Sequence, residues 1–269
     1  MTTTGPSNGS TYQALILKDS ISRNGNRLTS MQVTLPRIVL PEFNTHRVFS
    51  RNSASSRAIP VNKMIEKAVN DPFIPSYWGK AQKGMQAFVE LSKAEKDEAV
   101  QVWLRARDKA VEEAKELLDI GVHKQLANRL LEPFLWHVIV VTATEWDNFF
   151  KLRIHADAQP EIMYAAEAMK KALDSSEPQI IEEGEWHMPF VRLELVPPWI
   201  DARMASAARC ARVSYLNHDG KESYESDNDL ATRLLESGHL SPFEHVATPG
   251  DKDTGNFKGW TQFRQVVDR

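Results

Sequence analysis

The sequence predicts an α/β fold on three observations. β-Branched and aliphatic residues cluster in Ala14 to Leu17 and again in Thr29 to Leu40, with the turn-forming Asn24, Gly25 and Asn26 between them, the pattern of a hairpin. The run VIVVTA, residues 138–143, is the continuous apolar stretch of an internal strand. Segments rich in helix formers stand between and after these runs, so strand and helix alternate.

The remaining elements follow in order. NTHRVFSRNSASSRAIP, residues 44–60, is too polar for a core strand and too rich in Ser, Asn and Arg for a plain helix, and reads as a loop. From Lys83 to Ile120 apolar residues recur at helical intervals, which predicts one or two long helices closed by Gly121. A further helix starts near His123 and stops at Pro133. Glu145 to Ile154 and Pro160 to Leu173 read as helices, the second with proline in its first turn, where a missing N–H costs little. DSSEPQIIEEGE is the most linker-like stretch, Ile200 to Tyr215 and Asp227 to Ser237 read as helices, and FKGWTQF reads as a strand after the loop TPGDKDTGN.

Composition narrows the function classes. Hydrophobic residues make up 42% of the 269, enough for a sizeable core in one domain. A formal net charge of -3 argues against a non-specific nucleic-acid binder, which needs a dominant basic face. One cysteine, Cys210, builds neither a disulfide framework nor a cysteine-rich zinc site, which suits a reducing cytoplasm. Residues 1–13 read as a flexible polar leader and not a signal peptide, and no apolar run approaches the roughly 20 residues needed to span a bilayer. A soluble cytoplasmic protein with a single domain over residues 14–269 is expected.

Three segments carry chemistry. His46, Arg47, Ser50, Asn52, Ser55 and Arg57 place two guanidinium groups, an imidazole and several hydroxyls in one loop. Such a set binds anions, because arginine's planar fork matches phosphate and hydroxyls complete the cradle. By itself the segment reads more readily as an ordinary solvated loop. RIHADAQPEI supplies Arg153, His155, Asp157, Gln159 and Glu161; alone, Arg153 and Asp157 read as a surface ion pair. HLSPFEH gathers His239, Ser241, Glu244 and His245, but Pro242 disrupts the helical spacing that a zinc-binding histidine pair would need, and no metal site is expected.

Taken together, these segments resemble one family, the flavin-dependent thymidylate synthases, also called ThyX. THRVFSRNSASSR matches the RHR-x-x-S-x-N-x-x-S-x-R signature except at its first arginine. LRIHADAQPEI is similar to the LRAD-x-HAQ-x-EI helix start, and NRLLEP around Arg129 to the AR-x-x-LP pattern before it. HLSPFEH resembles HG-x-x-PFEH, and ARCARVSY resembles the AARVS start. In the family the last two motifs come first; here they lie near the C-terminus, which implies a circular permutation with residues 174–198 as the new connector.

The resemblance implies a central mixed or antiparallel sheet flanked by long helices. It also implies an enzyme in which FAD, NADPH and methylenetetrahydrofolate serve transfer of a one-carbon unit to carbon 5 of dUMP, giving dTMP, in a homotetramer with sites at subunit interfaces. No cysteine nucleophile is required, so Cys210 is expected in the core. By motif position Arg153 and Ser55 would be catalytic, with Arg153 stabilising charge that develops on the pyrimidine. Glu42, Ser53, Ala54, Ser56 and Arg57 would hold the nucleotide, and Arg129 its phosphate. His46, Arg47, Val48, Asn52, Asn148, Ser214, His239 and Ser241 would contact the flavin, with Glu244 and His245 bracing them. Departures are Thr45 for the first arginine, Ser53 for a glutamate, Thr144 for a flavin-binding arginine, Asp157 for a histidine and Glu42 for a glutamine. An ionised Glu42 accepts hydrogen bonds only, so it would favour cytosine's amino group over a carbonyl; dCMP as substrate, or a hydroxymethylated product, is the alternative. A non-catalytic flavin- or nucleotide-binding homologue is a further one.

Overall fold

A computed structural model describes residues 10–213, 223–250 and 255–268. The hairpin forms as β1 (Gln13–Ser22) and β2 (Arg27–Pro36), and is followed by a short α1 (Leu40–Asn44), β3 (Ser50–Ser53) and α2 (Val61–Asn70). The long α3 (Lys93–Asp119) leads through α4 (Lys124–Ala127) and a 3₁₀ segment, Asn128–Phe134, to β4 (Trp136–Ala143). Then come α5 (Asp147–Arg153), α6 (Pro160–Asp174), β5 (Gln179–Ile181), α7 (Ala202–Ala211) and α8 (Tyr224–Glu236). A 3₁₀ turn at Ser241–Glu244, β6 (Ala247–Pro249), β7 (Trp260–Gln262) and α9 (Phe263–Val267) complete the described chain. Among the described residues no helix is long and apolar enough to cross a membrane.

Five strands form one sheet in the order β3-β4-β2-β1-β5, antiparallel throughout except for the parallel β1–β5 pair. The strand period of two divides its residues between two covered faces. Met31, Val33 and Leu35 of β2 and Ile139, Val141 and Ala143 of β4 point to one face, where Phe43, Phe149, Ile162, Ala165 and Met169 of α1, α5 and α6 bury them. Val138 and Val140 point to the other, against Cys210 and Val213 at the end of α7. Cys210 is therefore a core residue, and burial raises its thiol pKa. α2, α3 and the 3₁₀ segment pack as a separate cluster, with Ala54 and Ile59 of the polar loop sealed against it.

Several expectations shift. The segment taken for a loop contains β3, because β4 would otherwise leave a row of backbone groups unpaired, and an edge strand tolerates polar side chains. The long helix starts at Lys93 and not Lys83; Ser92 and Glu95 form a reciprocal capping box that fixes its first turn. The linker-like stretch supplies β5, and of FKGWTQF only Trp260–Gln262 is strand, since Phe263 opens α9. Ser10, in the expected leader, bonds through its backbone N and hydroxyl to Asp71 (2.8 and 2.5 Å). Gly259 takes a φ of 69° where the tail meets the hairpin turn, and a Cβ there would run into Asn26.

Candidate functional site

The predicted residues fall into three groups strung along β3 and the segments flanking it. In the first, Arg153 at the end of α5 reaches back over α1: Nε donates to His46 Nε2 (2.9 Å), and Nη2 donates to Thr45 Oγ1 (3.2 Å) and the Glu42 carbonyl (3.4 Å). Its Nη1 has no partner among the described residues. His46 is buried, edge-on to Phe149 (4.8 Å) and stacked on Phe49 (5.9 Å). Burial, then the Arg153 and Arg51 guanidinium groups, lower its pKa to about 4, so the ring is neutral and can accept from Arg153. One Glu42 carboxyl oxygen, Oε2, is buried without a partner.

The second group joins the chain's early loop to the PFEH turn. Asn52 best satisfies its surroundings with the amide nitrogen toward His245 Nε2 (3.0 Å), the Ser241 carbonyl (3.1 Å) and the Arg51 carbonyl (3.2 Å), while its oxygen accepts from Ser241 Oγ (3.1 Å). Ser50 Oγ donates to Glu244 Oε2 (2.7 Å), and Arg264 pairs with Glu244 Oε1 (2.5 Å). Glu244 and His245 thus tie the turn to β3. Beside this junction lies a cleft of about 460 Å³ whose lining includes Arg47, Arg51, Glu244, Asn256, Gln262 and Arg264.

The third group is the exposed loop of Ser55 and Arg57, in which the Arg57 N–H donates to Ser55 Oγ (3.3 Å). Buried Asn128 anchors it by donating to the carbonyls of Ser56 (2.7 Å) and Ile59 (2.8 Å), whereas the neighbouring Arg129 lines a different depression, with Arg37, Leu40 and Asn44. Arg129 itself pairs with Glu132 (2.7 Å). Ser53 lies in β3 and Ala54 is buried behind it. Arg47, Val48, Asn148 and His239 are exposed; His239 bonds to Ser237 (2.9 Å). Ser214 lies outside the described residues. Sequence reasoning missed Asn256, Gln262 and Arg264, which lie in a stretch read as loop and strand and meet Ser50 and Glu244 only through the fold.

Residues 28–179 match the family model described as "Thymidylate synthase complementing protein". The chain belongs to this family. The matched span contains the serine- and arginine-rich loop and the Arg153 motif, while the PFEH and ARVSY motifs lie beyond it. A flavin-dependent thymidylate synthase of Aquifex aeolicus (strain VF5) is 30% identical over 145 residues, 52% of this chain and 43% of that protein. The match thus spans less than half of the relative's length. Two crystal structures of a UMP/dUMP methylase, PolB from Streptomyces cacaoi, share the fold: bound with 5-Br UMP, TM-score 0.52 at 21% identity over 61% of this chain and 89% of that one; bound with 5-Br dUMP, 0.52 at 20% over 61% and 90%.

In this family member the buried histidines make stability depend on pH in a defined direction. His46 has its pKa lowered to about 4, and His137, His187 and His245 to about 3, all chiefly by burial. The unfolded chain therefore binds protons on these rings below about pH 6.5 while the folded protein does not. The stabilisation is complete above that pH and is lost as pH falls from about 6.5 through 4 toward 3. Thermal midpoints read by circular dichroism should be level from about pH 8 to 7 and drop steadily below 6.5; a level profile down to pH 4.5 would contradict neutral, buried rings.

Proposed function

We propose that this protein is a flavin-dependent enzyme that transfers a one-carbon unit from methylenetetrahydrofolate to carbon 5 of dUMP, with NADPH as reductant, in a homotetramer. The observation that carries this reading is the meeting of the two motif loops: Asn52 on Ser241 and His245, and Ser50 on Glu244, put the early loop and the late turn in one place. It also supports the permuted reading of the motif order over residues 14–269. A head-to-tail joint would nevertheless have to be long. Tyr12 packs on Trp136 while Trp260 packs with Leu28, at opposite ends of β4 and β2, about 20 Å apart by strand rise.

The residues present fit a flavin dinucleotide. A cleft lined by Arg47, Arg51 and Arg264 with Asn256 and Gln262 suits a diphosphate, since Glu244, which also lines it, offsets only the Arg264 charge with which it pairs. When bound, the flavin supplies the redox chemistry. The chain supplies charge and orientation. Arg153, clamped by neutral His46 and the Glu42 carbonyl, keeps Nη1 for the pyrimidine, where a fixed positive group stabilises negative charge developing on the ring. By motif position Ser55, Arg57 and Arg129 would supply the hydroxyl and guanidinium groups for the nucleotide and its phosphate.

Purified protein should be yellow and release tritium from carbon-5-labelled dUMP when folate and NADPH are present. A colourless protein that takes up no FAD and releases no label would overturn the proposal. A second reading is favoured by the buried, unpartnered Glu42 oxygen, which calls for a hydrogen-bond donor such as the amino group of cytosine. On that reading dCMP is the better substrate and Glu42→Gln shifts preference to dUMP. Turnover of dUMP but not dCMP by the unaltered enzyme would remove it.

A further inference from the structure

On the second face of the sheet a line of polar side chains runs through the interior. His187 is fully buried, forms a two-way backbone bridge with Ala247 (2.7 and 3.2 Å), and comes from the connector stretch for which the sequence offered no role. Its Nδ1 meets Ser20 Oγ of β1 (2.9 Å) and its Nε2 meets Ser30 Oγ of β2 (2.8 Å). Ser30 Oγ meets Thr142 Oγ1 of β4, directly opposite in register (2.5 Å), and Thr142 Oγ1 meets His245 Nδ1 (2.7 Å). His245 Nε2 then meets the Asn52 amide (3.0 Å), next in the chain to Arg51 of the cleft lining, and His245 itself follows Glu244 of that lining. Ser20, Ser30, Thr142 and both histidines are buried.

A neutral imidazole has one donor and one acceptor, and a hydroxyl donates once, so a line entered by a donor at Asn52 can run unbroken in one direction to Ser20. The Asn52 amide nitrogen donates to His245 Nε2, which puts that ring's proton on Nδ1. His245 then donates to Thr142, Thr142 to Ser30, Ser30 to His187 Nε2, and His187 Nδ1 to Ser20. His187 Nε2 is the acceptor that lets Ser30 donate onward while Thr142 donates to it; without that ring Ser30 can turn and donate back to Thr142 Oγ1.

We propose that His187 is a positioning residue: by accepting from Ser30 it fixes the direction of the hydrogen-bond line through Thr142, and so holds His245 as the Nδ1–H tautomer whose Nε2 accepts from the Asn52 amide nitrogen. Its consequence for cofactor binding rests on the flavin reading above; its consequence for His245 does not. Removing the acceptor leaves Ser30 free to turn, and the order of the bonds from Ser30 up to His245 Nδ1 is lost.

The test compares His187→Leu, which removes the acceptor, with His187→Gln, whose amide oxygen restores it. Nitrogen-15 spectra of histidine-labelled protein should show His245 protonated on Nδ1 in the unaltered protein and in His187→Gln. In His187→Leu the His245 signals should move to a mixture of tautomers. FAD titration should then give a dissociation constant raised about tenfold in His187→Leu and little changed in His187→Gln, the scale of one lost buried hydrogen bond. The proposal is overturned if His245 carries its proton on Nε2 in the unaltered protein, or keeps its tautomer in a folded His187→Leu. It is overturned equally if His187→Gln shifts the tautomer as far as His187→Leu. Failure of the unaltered protein to bind FAD, with the tautomers behaving as described, would remove the flavin reading and leave this one standing.

Discussion

Arg153→Ala is expected to lower kcat for label release from the nucleotide by about 10²–10³-fold, the scale measured when one preorganised stabiliser of developing charge is removed. Folding should be little affected, because the side chain is only half-buried and lies at the surface end of α5. Circular dichroism should give a thermal midpoint close to that of the unaltered protein. Arg153→Lys should recover only part of the loss: a lysine is a point charge that cannot bond His46 and the Glu42 carbonyl while presenting a further donor to the ring. A variant without the guanidinium that turns over within about threefold of the unaltered enzyme would show that Arg153 acts elsewhere than on the transition state.

The case for Arg153 shows what the sequence could and could not carry. Its motif identified it, yet on a helix surface it looked like a partner for Asp157. The fold turns it the other way, onto His46 from a separate motif. The apolar runs were legible because a strand covered on both faces reads as a near-continuous apolar stretch, as 138–143 does. The loop at 44–60 was misread in part because pairing to the free edge of β4 overrides low strand propensity at Ser50–Ser53. His187 was invisible for a different reason. It bonds to Ser20 of β1 and Ser30 of β2, the row continues through β4 to the PFEH turn, and no local spacing records a row built across strands.

The buried ion pair in the ARCARVSY segment should be the largest single contributor to stability among the charged groups. Asp227 of α8 is almost fully buried and takes Arg209 Nε (2.8 Å) and Arg212 Nη1, both from the end of α7. Arg209 also lies over the Tyr224 ring (4.4 Å) and donates to the carbonyl of Phe190 (2.9 Å), the one non-glycine residue among those described with a positive φ, 63°. That conformation persists only where its surroundings impose it. Asp227→Asn removes the buried carboxylate that Arg209 and Arg212 share, so it should cost about 3–5 kcal/mol and lower the thermal midpoint by about 10 °C. Asp174→Asn provides the contrast. Its exposed pairing with Lys170 (2.8 Å) should be worth less than about 0.5 kcal/mol. If the two variants melt alike, α7 and α8 are held by their apolar contacts alone. If they differ as expected, the shared carboxylate is what ties α7 to α8.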